Sequence, residues 1–424
     1  MTLRRREFLK RLSVIAAGAA GVGVGSRACA AAPRVVVIGG GFGGATAAKY
    51  LRLWAPDIQV TLVERNREFI SCPLSNRVLA GQMELIDLTR GYGALGGKYG
   101  IRMVYDDVVA IDHERQRVEL DGDDPLPYDR LIVAPGVDLL LDEIPGLKDT
   151  VARERILHAW KAGPQTIALR RQLEDMPDGG VYAITIPKAP YRCPPGPYER
   201  ACQVAWYFKQ HKTKSKVLIL DANDKVQSKE ALFTRVWNDW YAGIVEYRPN
   251  STLLDVDAKT LTAKLEFEDV RADVLNVIPP QRAAKIAVDT GLITVNDKWA
   301  GVDFLTYESV ARKNIHVLGD AIQAAPLMPK SGHMANQHGK VAAAAIGALL
   351  QGQTPNPSPV ISSTCYSFVS DKQVIHVASV HRYDPQKKTM VVAQGASGLS
   401  EAPNELEGGY AESWSRNILA DMLG

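Results

Sequence analysis

The sequence is poor in several things that would have narrowed it quickly. None of its five cysteines falls in Cys-x-x-Cys or Cys-x-x-Cys-His, so it carries neither a zinc ribbon nor a covalent haem c of its own. Aromatics are only 7% of the residues. No block of basic residues comes after the first thirty positions, which argues against nucleic acid as a partner. No apolar run is long enough to cross a bilayer of about 30 Å comfortably. No internal repeat or low-complexity tract stands out. The remainder is ordinary globular usage over 424 residues, 46% hydrophobic and 23% charged, with 35 Gly and 24 Pro. That excludes a disordered, collagen-like or polytopic membrane chain and leaves room for two or three domains.

The formal net charge of +3 is a property of the N-terminus. Arg4, Arg5, Arg6, Lys10, Arg11 and Arg27 stand there against Glu7 alone. Without those six bases and one acid, totals of 50 and 47 become 44 and 46, a net of −2. An apolar Gly/Ala-rich run extends from Leu12 to Gly25, ahead of the small residues Ala28-Cys29-Ala30. This pattern reads as a secretory leader resembling the twin-arginine type, residues 1–30, cleaved after Ala30 or Ala32. The expected destination is the periplasm, where disulfides persist. Cys29 leaves with the leader. Cys72, Cys193, Cys202 and Cys365 remain, with three full pairings open to them.

Arg34-Val-Val-Val-Ile38 is a short apolar strand, continued at once by Gly39, Gly41 and Gly44 and then by the helix-forming run from Ala45 to Leu53. The three glycines fit G-x-G-x-x-G in its strand–turn–helix setting. The first allows the tight turn, the second admits a pyrophosphate to the backbone, and the third lets helix and strand pack closely. A second strand, Gln59–Val63, ends in Glu64 and Arg65. An acid at that place can accept the hydroxyls of an adenosine ribose. Two later strands, ending in Ala134-Pro-Gly136 and in Gly319-Asp320, resemble the secondary motifs of two-dinucleotide-domain flavoproteins of the glutathione-reductase-like class. That resemblance implies FAD, with Asp320 toward its ribityl and phosphate part.

The mid-chain strand Gly180–Ile186 should open a second dinucleotide fold. It runs directly into Pro187-Lys-Ala-Pro-Tyr-Arg-Cys193-Pro-Pro-Gly-Pro-Tyr-Glu199. Proline offers a phosphate no N–H and cannot take positive φ. The βαβ outline continues through a helix over Arg200–Phe208 and a strand ending in Asp221, but the glycine cradle is gone. NADH is therefore not the expected reductant.

Cys193 with its proline-rich loop, Pro329-Lys330-Ser-Gly-His-Met334 and the Cys365 region together resemble the sulfide-oxidising flavoproteins: sulfide:quinone reductases and the flavoprotein subunit of flavocytochrome c sulfide dehydrogenase. The likeness covers nearly the whole chain after the leader. It is greatest to the flavocytochrome c type, through the leader, Ser71-Cys72-Pro73 and the segment from about Pro355. The resemblance implies that Cys72 carries the flavin through a thioether, and that Cys193 and Cys365 form a redox disulfide beside the flavin ring. Sulfide, mostly HS⁻ near neutral pH, opens a disulfide to a persulfide and a thiolate. We expect the persulfide on Cys365 and the thiolate on Cys193, with the reverse open.

Glu199 is either an acid/base, if a dry pocket raises its pKa, or an acid favourable to a helix N-terminus. Lys330 is expected to favour negative charge on the reduced flavin from the N-terminus of the helix that holds Met334. Cys202 reads as a buried thiol in an apolar helix. His333 and His338 find no third ligand at sensible spacing, so no metal is expected. Trp414 reads more readily as core than as a neighbour of the flavin.

The fold expected is α/β: two Rossmann-like, glutathione-reductase-like domains plus a smaller C-terminal α+β domain. The first FAD part covers 31–160 and the second dinucleotide-like domain 161–296. The FAD domain returns over 297–353 and the C-terminal domain covers 354–424. The tail is short and poor in lysine, which favours a soluble partner over a membrane surface. A two-electron flavin donor without haem needs an acceptor, and the resemblance implies a separate c-type cytochrome subunit. The function expected is periplasmic sulfide oxidation to sulfur or polysulfide. A soluble sulfide:quinone oxidoreductase and a non-catalytic flavin-binding subunit are the alternatives.

Overall fold

The computed structural model describes residues 31–424, so the leader reading lies outside the described residues. The chain begins with β1 (Arg34–Ile38), α1 (Phe42–Trp54), β2 (Gln59–Val63), β3 (Arg102–Val104) and β4 (Arg130–Val133). It continues through β5 (Val181–Ile186), α2 (Gly196–His211), β6 (Lys216–Asp221), β7 (Val245–Arg248) and β8 (Val274–Val277). Then come β9 (Ile315–Val317) and α3 (Gly332–Leu350), and finally β10 (Val360–Phe368), β11 (Val374–Asp384), β12 (Thr389–Leu399) and α4 (Glu405–Leu423).

β1 to β4 and β9 form one five-stranded sheet in the order β9-β4-β1-β2-β3, parallel throughout. Its central strands are continuous apolar runs because both faces are covered: α1 packs on β1 and β2, and Ile111, Val118 and Leu120 of a small antiparallel sheet share the same core. Val35, Val37 and Leu62 are fully buried there. β9, far along the chain, completes this sheet and carries Asp320 to its carboxyl end. β5 to β8 make a second parallel sheet, β7-β6-β5-β8. β10 to β12 form an antiparallel sheet, with Cys365 opposite Val377. Two Rossmann-like units and a small α+β unit are thus the architecture, as the sequence implied.

Local signals explain the helix starts that matter. α1 begins at Gly41 with no side-chain cap, leaving its first N–H groups free to face a ligand. Ser331 caps α3, its Oγ accepting from Met334 N at 3.2 Å. Asn404 caps α4, accepting from Glu407 N at 2.8 Å. Among the described residues, no helix is long and apolar enough to cross a membrane.

Candidate active site

One cavity of about 240 Å³ lies where the three units meet. The turn after β1 supplies Gly41, the proline-rich loop supplies Arg192 and Cys193, and α2 supplies Glu199. Cys365 comes from β10, and Ala411 and Trp414 from α4. Ligand sites of α/β sheets form at the carboxyl ends of their strands, and this cavity lies there.

The three glycines divide their labour as the sequence implied. Gly39 has φ +94°, and a Cβ on it would meet the carbonyl of Ala134. A Cβ on Gly44 would run into the carbonyl oxygen of Gly39, so helix and strand could not close. Gly41 has open space where its Cβ would stand, which is the room a pyrophosphate requires. Ala134 and Gly136 line the same wall, as does Asp320. Asp320 Oδ1 is buried with no hydrogen-bond partner, and burial raises its carboxyl above the ordinary range. A buried acceptor left unpaired is costly, and a ribityl hydroxyl is the kind of donor that would satisfy it. The residues present therefore fit a flavin dinucleotide.

Four of the residues expected at the cofactor have partners within the protein. Glu64 does not line the cavity; its Oε2 accepts from Gly40 N at 2.7 Å and its Oε1 from Asn66 N at 2.9 Å. The carboxylate straps the glycine turn to β2. Arg65 points away to Asp107 at 2.9 Å and is largely exposed. Met334 is buried in the core around the first sheet, and only its amide is at the cap. Lys330 reaches the cavity, but its ammonium is committed to the main chain. Nζ donates to Asp320 O at 2.9 Å and Ile322 O at 2.5 Å and sits 3.6 Å from the Trp299 ring centre. Burial lowers its pKa to about 8. Lys330 thus both lines the cavity and braces the Asp320 turn.

Cys72, Cys193 and Cys365 all line the cavity, and all four cysteines among the described residues are free thiols. Cys72 Sγ accepts from Ala162 N at 3.4 Å and from Arg192 Nη2 at 3.5 Å. Cys193 takes φ +57°, a conformation that is uncommon for a side-chain-bearing residue. Its amide donates to Lys330 O at 2.8 Å, which joins the proline-rich loop to the FAD-side turn. Burial pushes the Cys193 thiol up, and the sulfur of Cys365 pushes it further. The Cys365 thiol is also raised by burial, against the pull of Lys229 and of the Ser363 and Ser331 hydroxyls.

Glu199 sits in the first turn of α2 and is buried beside these sulfurs. Its Oε1 accepts from Phe368 N at 3.1 Å and its Oε2 from Asn76 Nδ2 at 3.2 Å. Burial holds its carboxyl above the ordinary range despite these donors. Glu199 is thus an acid in the first turn of a helix with its carboxyl raised by burial. Cys202 lies apart in the core of the second unit, with Trp237 Nε1 donating to its sulfur at 3.3 Å.

Arg200, Asn76 and Lys229, which carried no sequence signal, support this site, and Trp414, expected in the core, is part of its lining. Arg200 is fully enclosed and bonds Asn76, Asn276 and the carbonyls of His158 and Ala159. Asn76 stands between Glu199 and Arg200. Lys229 reaches across to β10. Trp414 does line the cavity, with its Nε1 donating to His333 Nδ1 at 3.3 Å. His333 also accepts from Thr364 N at 3.0 Å.

In the second unit, Asp221 stands at the end of β6, where an adenosine ribose would be read. It accepts instead from Tyr198 OH at 2.7 Å, Tyr247 OH at 3.1 Å and Asn223 N at 2.9 Å. The carboxylate is thus bonded within the protein.

Two dinucleotide folds sharing a cavity lined by a glycine-rich turn and by three cysteines point to the flavoprotein disulfide-oxidoreductase class. Residues 33–166 match the pyridine nucleotide-disulphide oxidoreductase family. Residues 166–279 match the central region of the sulfide dehydrogenase [flavocytochrome c] flavoprotein chain, and residues 357–423 its flavin-binding region. A flavocytochrome c flavoprotein chain from Chlorobaculum thiosulfatiphilum is 64% identical over 45 residues, 11% of this chain and 94% of that sequence. The chain belongs to the family of flavocytochrome c sulfide dehydrogenase flavoproteins. It is also 23% identical over 302 residues to the mitochondrial sulfide:quinone oxidoreductase of Dictyostelium discoideum, covering 68% of this chain and 65% of that one. The solved sulfide:quinone oxidoreductase of Aquifex aeolicus superposes with a TM-score of 0.74 at 18% identity, over 92% of this chain and 91% of that one.

Proposed function

We propose that this chain oxidises sulfide to sulfur or polysulfide through FAD and a Cys193–Cys365 disulfide, and passes the electrons to a c-type cytochrome subunit. Membership of the family supports flavin-dependent sulfide oxidation. The observation that carries the mechanism is that Cys193 and Cys365, from different units, line one cavity with the buried acid Glu199 between their elements. HS⁻ attacks the disulfide, the S–S bond breaks, and one cysteine becomes a persulfide while the other leaves as thiolate. Bound FAD supplies the two-electron acceptor for this chemistry. Glu199, whose carboxyl burial raises above the ordinary range, donates or takes the proton as sulfur is released. Cys72, at the same wall, is the proposed thioether link to the flavin. The leader supports a periplasmic site for the reaction.

The acceptor decides between the two family activities. Leader-free holoenzyme is offered sulfide with a c-type cytochrome and, separately, a soluble quinone. Fast cytochrome reduction with little quinone reduction is expected. Preference for quinone would reassign the chain to quinone reduction, and no sulfide oxidation with either would leave it a flavin-binding subunit.

A further inference from the structure

Lys229 is the least explained charge in the molecule. It precedes the helix Glu230–Trp240 in the left-handed region, φ +58°, and is only 7% exposed. Its ammonium leaves the second unit and ends on the C-terminal sheet. Nζ donates to Cys365 O at 2.9 Å, to Ser367 Oγ at 2.8 Å and to Ile375 O at 3.4 Å. All three acceptors are neutral, and among the described residues no carboxylate forms an ion pair with it.

The acids nearby are committed elsewhere. Glu199, from α2, serves Phe368 N and Asn76. Glu407, from α4, holds Ser400 Oγ at 2.5 Å and His376 Nδ1 at 2.9 Å. A buried cation held by no ion pair is expensive; burial lowers its pKa to about 8, while Cys365, Glu199, Cys193 and Glu407 pull it back up through space. The remaining groups that face it and can become anionic are the sulfurs of Cys365 on β10 and Cys193 on the proline-rich loop. Of the two, Cys365 is the one whose main chain the ammonium grips.

We propose that Lys229 is a positioning residue that supplies the standing counter-charge for an anion on Cys365, so that Cys365 leaves as the thiolate when the disulfide opens. This rests on the Cys193–Cys365 reading above. HS⁻ attacks Cys193 Sγ, the S–S bond breaks, the bonding pair goes to Cys365 as thiolate, and Cys193 keeps the incoming sulfur as a persulfide with its proton. One negative charge enters and one remains. The thiol of lower pKa is the better leaving group, and both Lys229 and the hydroxyls of Ser331 and Ser363 pull Cys365 that way. The persulfide then sits on Cys193, the reverse of the order the sequence led us to expect.

The test uses chemically reduced holoenzyme alkylated across neutral to alkaline pH, with Cys193 and Cys365 peptides followed separately by mass spectrometry. In the wild type Cys365 should ionise at lower pH than Cys193. Lys229→Met should slow Cys365 alkylation near neutral pH by about tenfold or more, the effect of one pKa unit, while Lys229→Arg keeps it. An unchanged Cys365 profile in folded Lys229→Met overturns the proposal. So does a wild type in which Cys193 ionises first, a result that needs no variant to fold. If Cys193→Ser still oxidises sulfide, the disulfide reading fails, whereas the alkylation order still reports on Lys229.

Discussion

Asn76 Nδ2 donates to Glu199 Oε2 at 3.2 Å, a contact between a short helix after the Cys72 loop and the first turn of α2. The same amide accepts from Arg200 Nε at 3.0 Å through its oxygen. One side chain therefore ties the acid beside the thiols to a buried guanidinium and joins the two dinucleotide folds.

Burial raises the Glu199 pKa against the pull of Phe368 N, Lys229, Asn76 and Arg200. The carboxyl therefore holds its proton to higher pH in the folded chain than in the unfolded chain. Its contribution to stability is present below the ordinary carboxylate value of 4.5 and is lost as pH rises through the folded value. Glu199→Gln, neutral at every pH, should show a melting temperature less sensitive to pH across that window. Its sulfide turnover should fall by about 10²-fold or more. Full activity in Glu199→Gln would remove it from the proton path.

Two glycine substitutions separate packing from cofactor room. Gly44→Ala drives a methyl into the Gly39 carbonyl and should destabilise the chain by about 3 kcal/mol, read by thermal unfolding of the apoprotein. Gly41→Ala meets nothing in the protein, so the apoprotein should melt as the wild type does while flavin incorporation drops. Equal melting temperatures for both variants would contradict this division.

The internally bonded Asp221, with prolines in place of a glycine cradle after Ile186, predicts that NADH is not a donor. Anaerobic NADH should leave the flavin absorbance unchanged on the time scale on which sulfide bleaches it. Rapid bleaching by NADH would mean that Tyr198, Asp221 and Tyr247 move aside. Tyr198→Phe removes a donor from a buried carboxylate and should cost about 1.5–3 kcal/mol, the worth of a hydrogen bond to a charged group.

For Cys72, the expected result is that flavin stays with the polypeptide after acid denaturation of the wild type and comes free from Cys72→Ser. Release from both variants would mean a non-covalent cofactor.

The parts of this site legible in the sequence were those with a local backbone demand. Gly39, Gly41 and Gly44 had to be spaced as they are because one turn must be tight, open and closely packed at once. Asp320 showed because a strand ended in Gly-Asp, and Cys193 because prolines stood where glycines belong. Asn76, Arg200 and Lys229 were silent because their roles come from reach between units, which leaves no periodicity behind. Glu64 and Lys330 were found, but for another role: each spends its polar atoms on nearby main chain. β12 and α4 were not read as elements. Gly408 and Gly409 weaken the helix pattern of the tail, yet Gly408 is needed because a Cβ there would strike the carbonyl of Lys372.

Cys202 gives the arrangement a further meaning. It lies nine residues beyond Cys193 in the sequence, far nearer along the chain than Cys365. In an oxidising solution the unfolded chain would join the neighbours first, because short loops close most readily. Folding prevents that choice by burying Cys202 against Trp237 and delivering Cys365 only when β10 has docked on the other units. A correct Cys193–Cys365 bond would thus be a record that the polypeptide completed its tertiary structure before it met an oxidant.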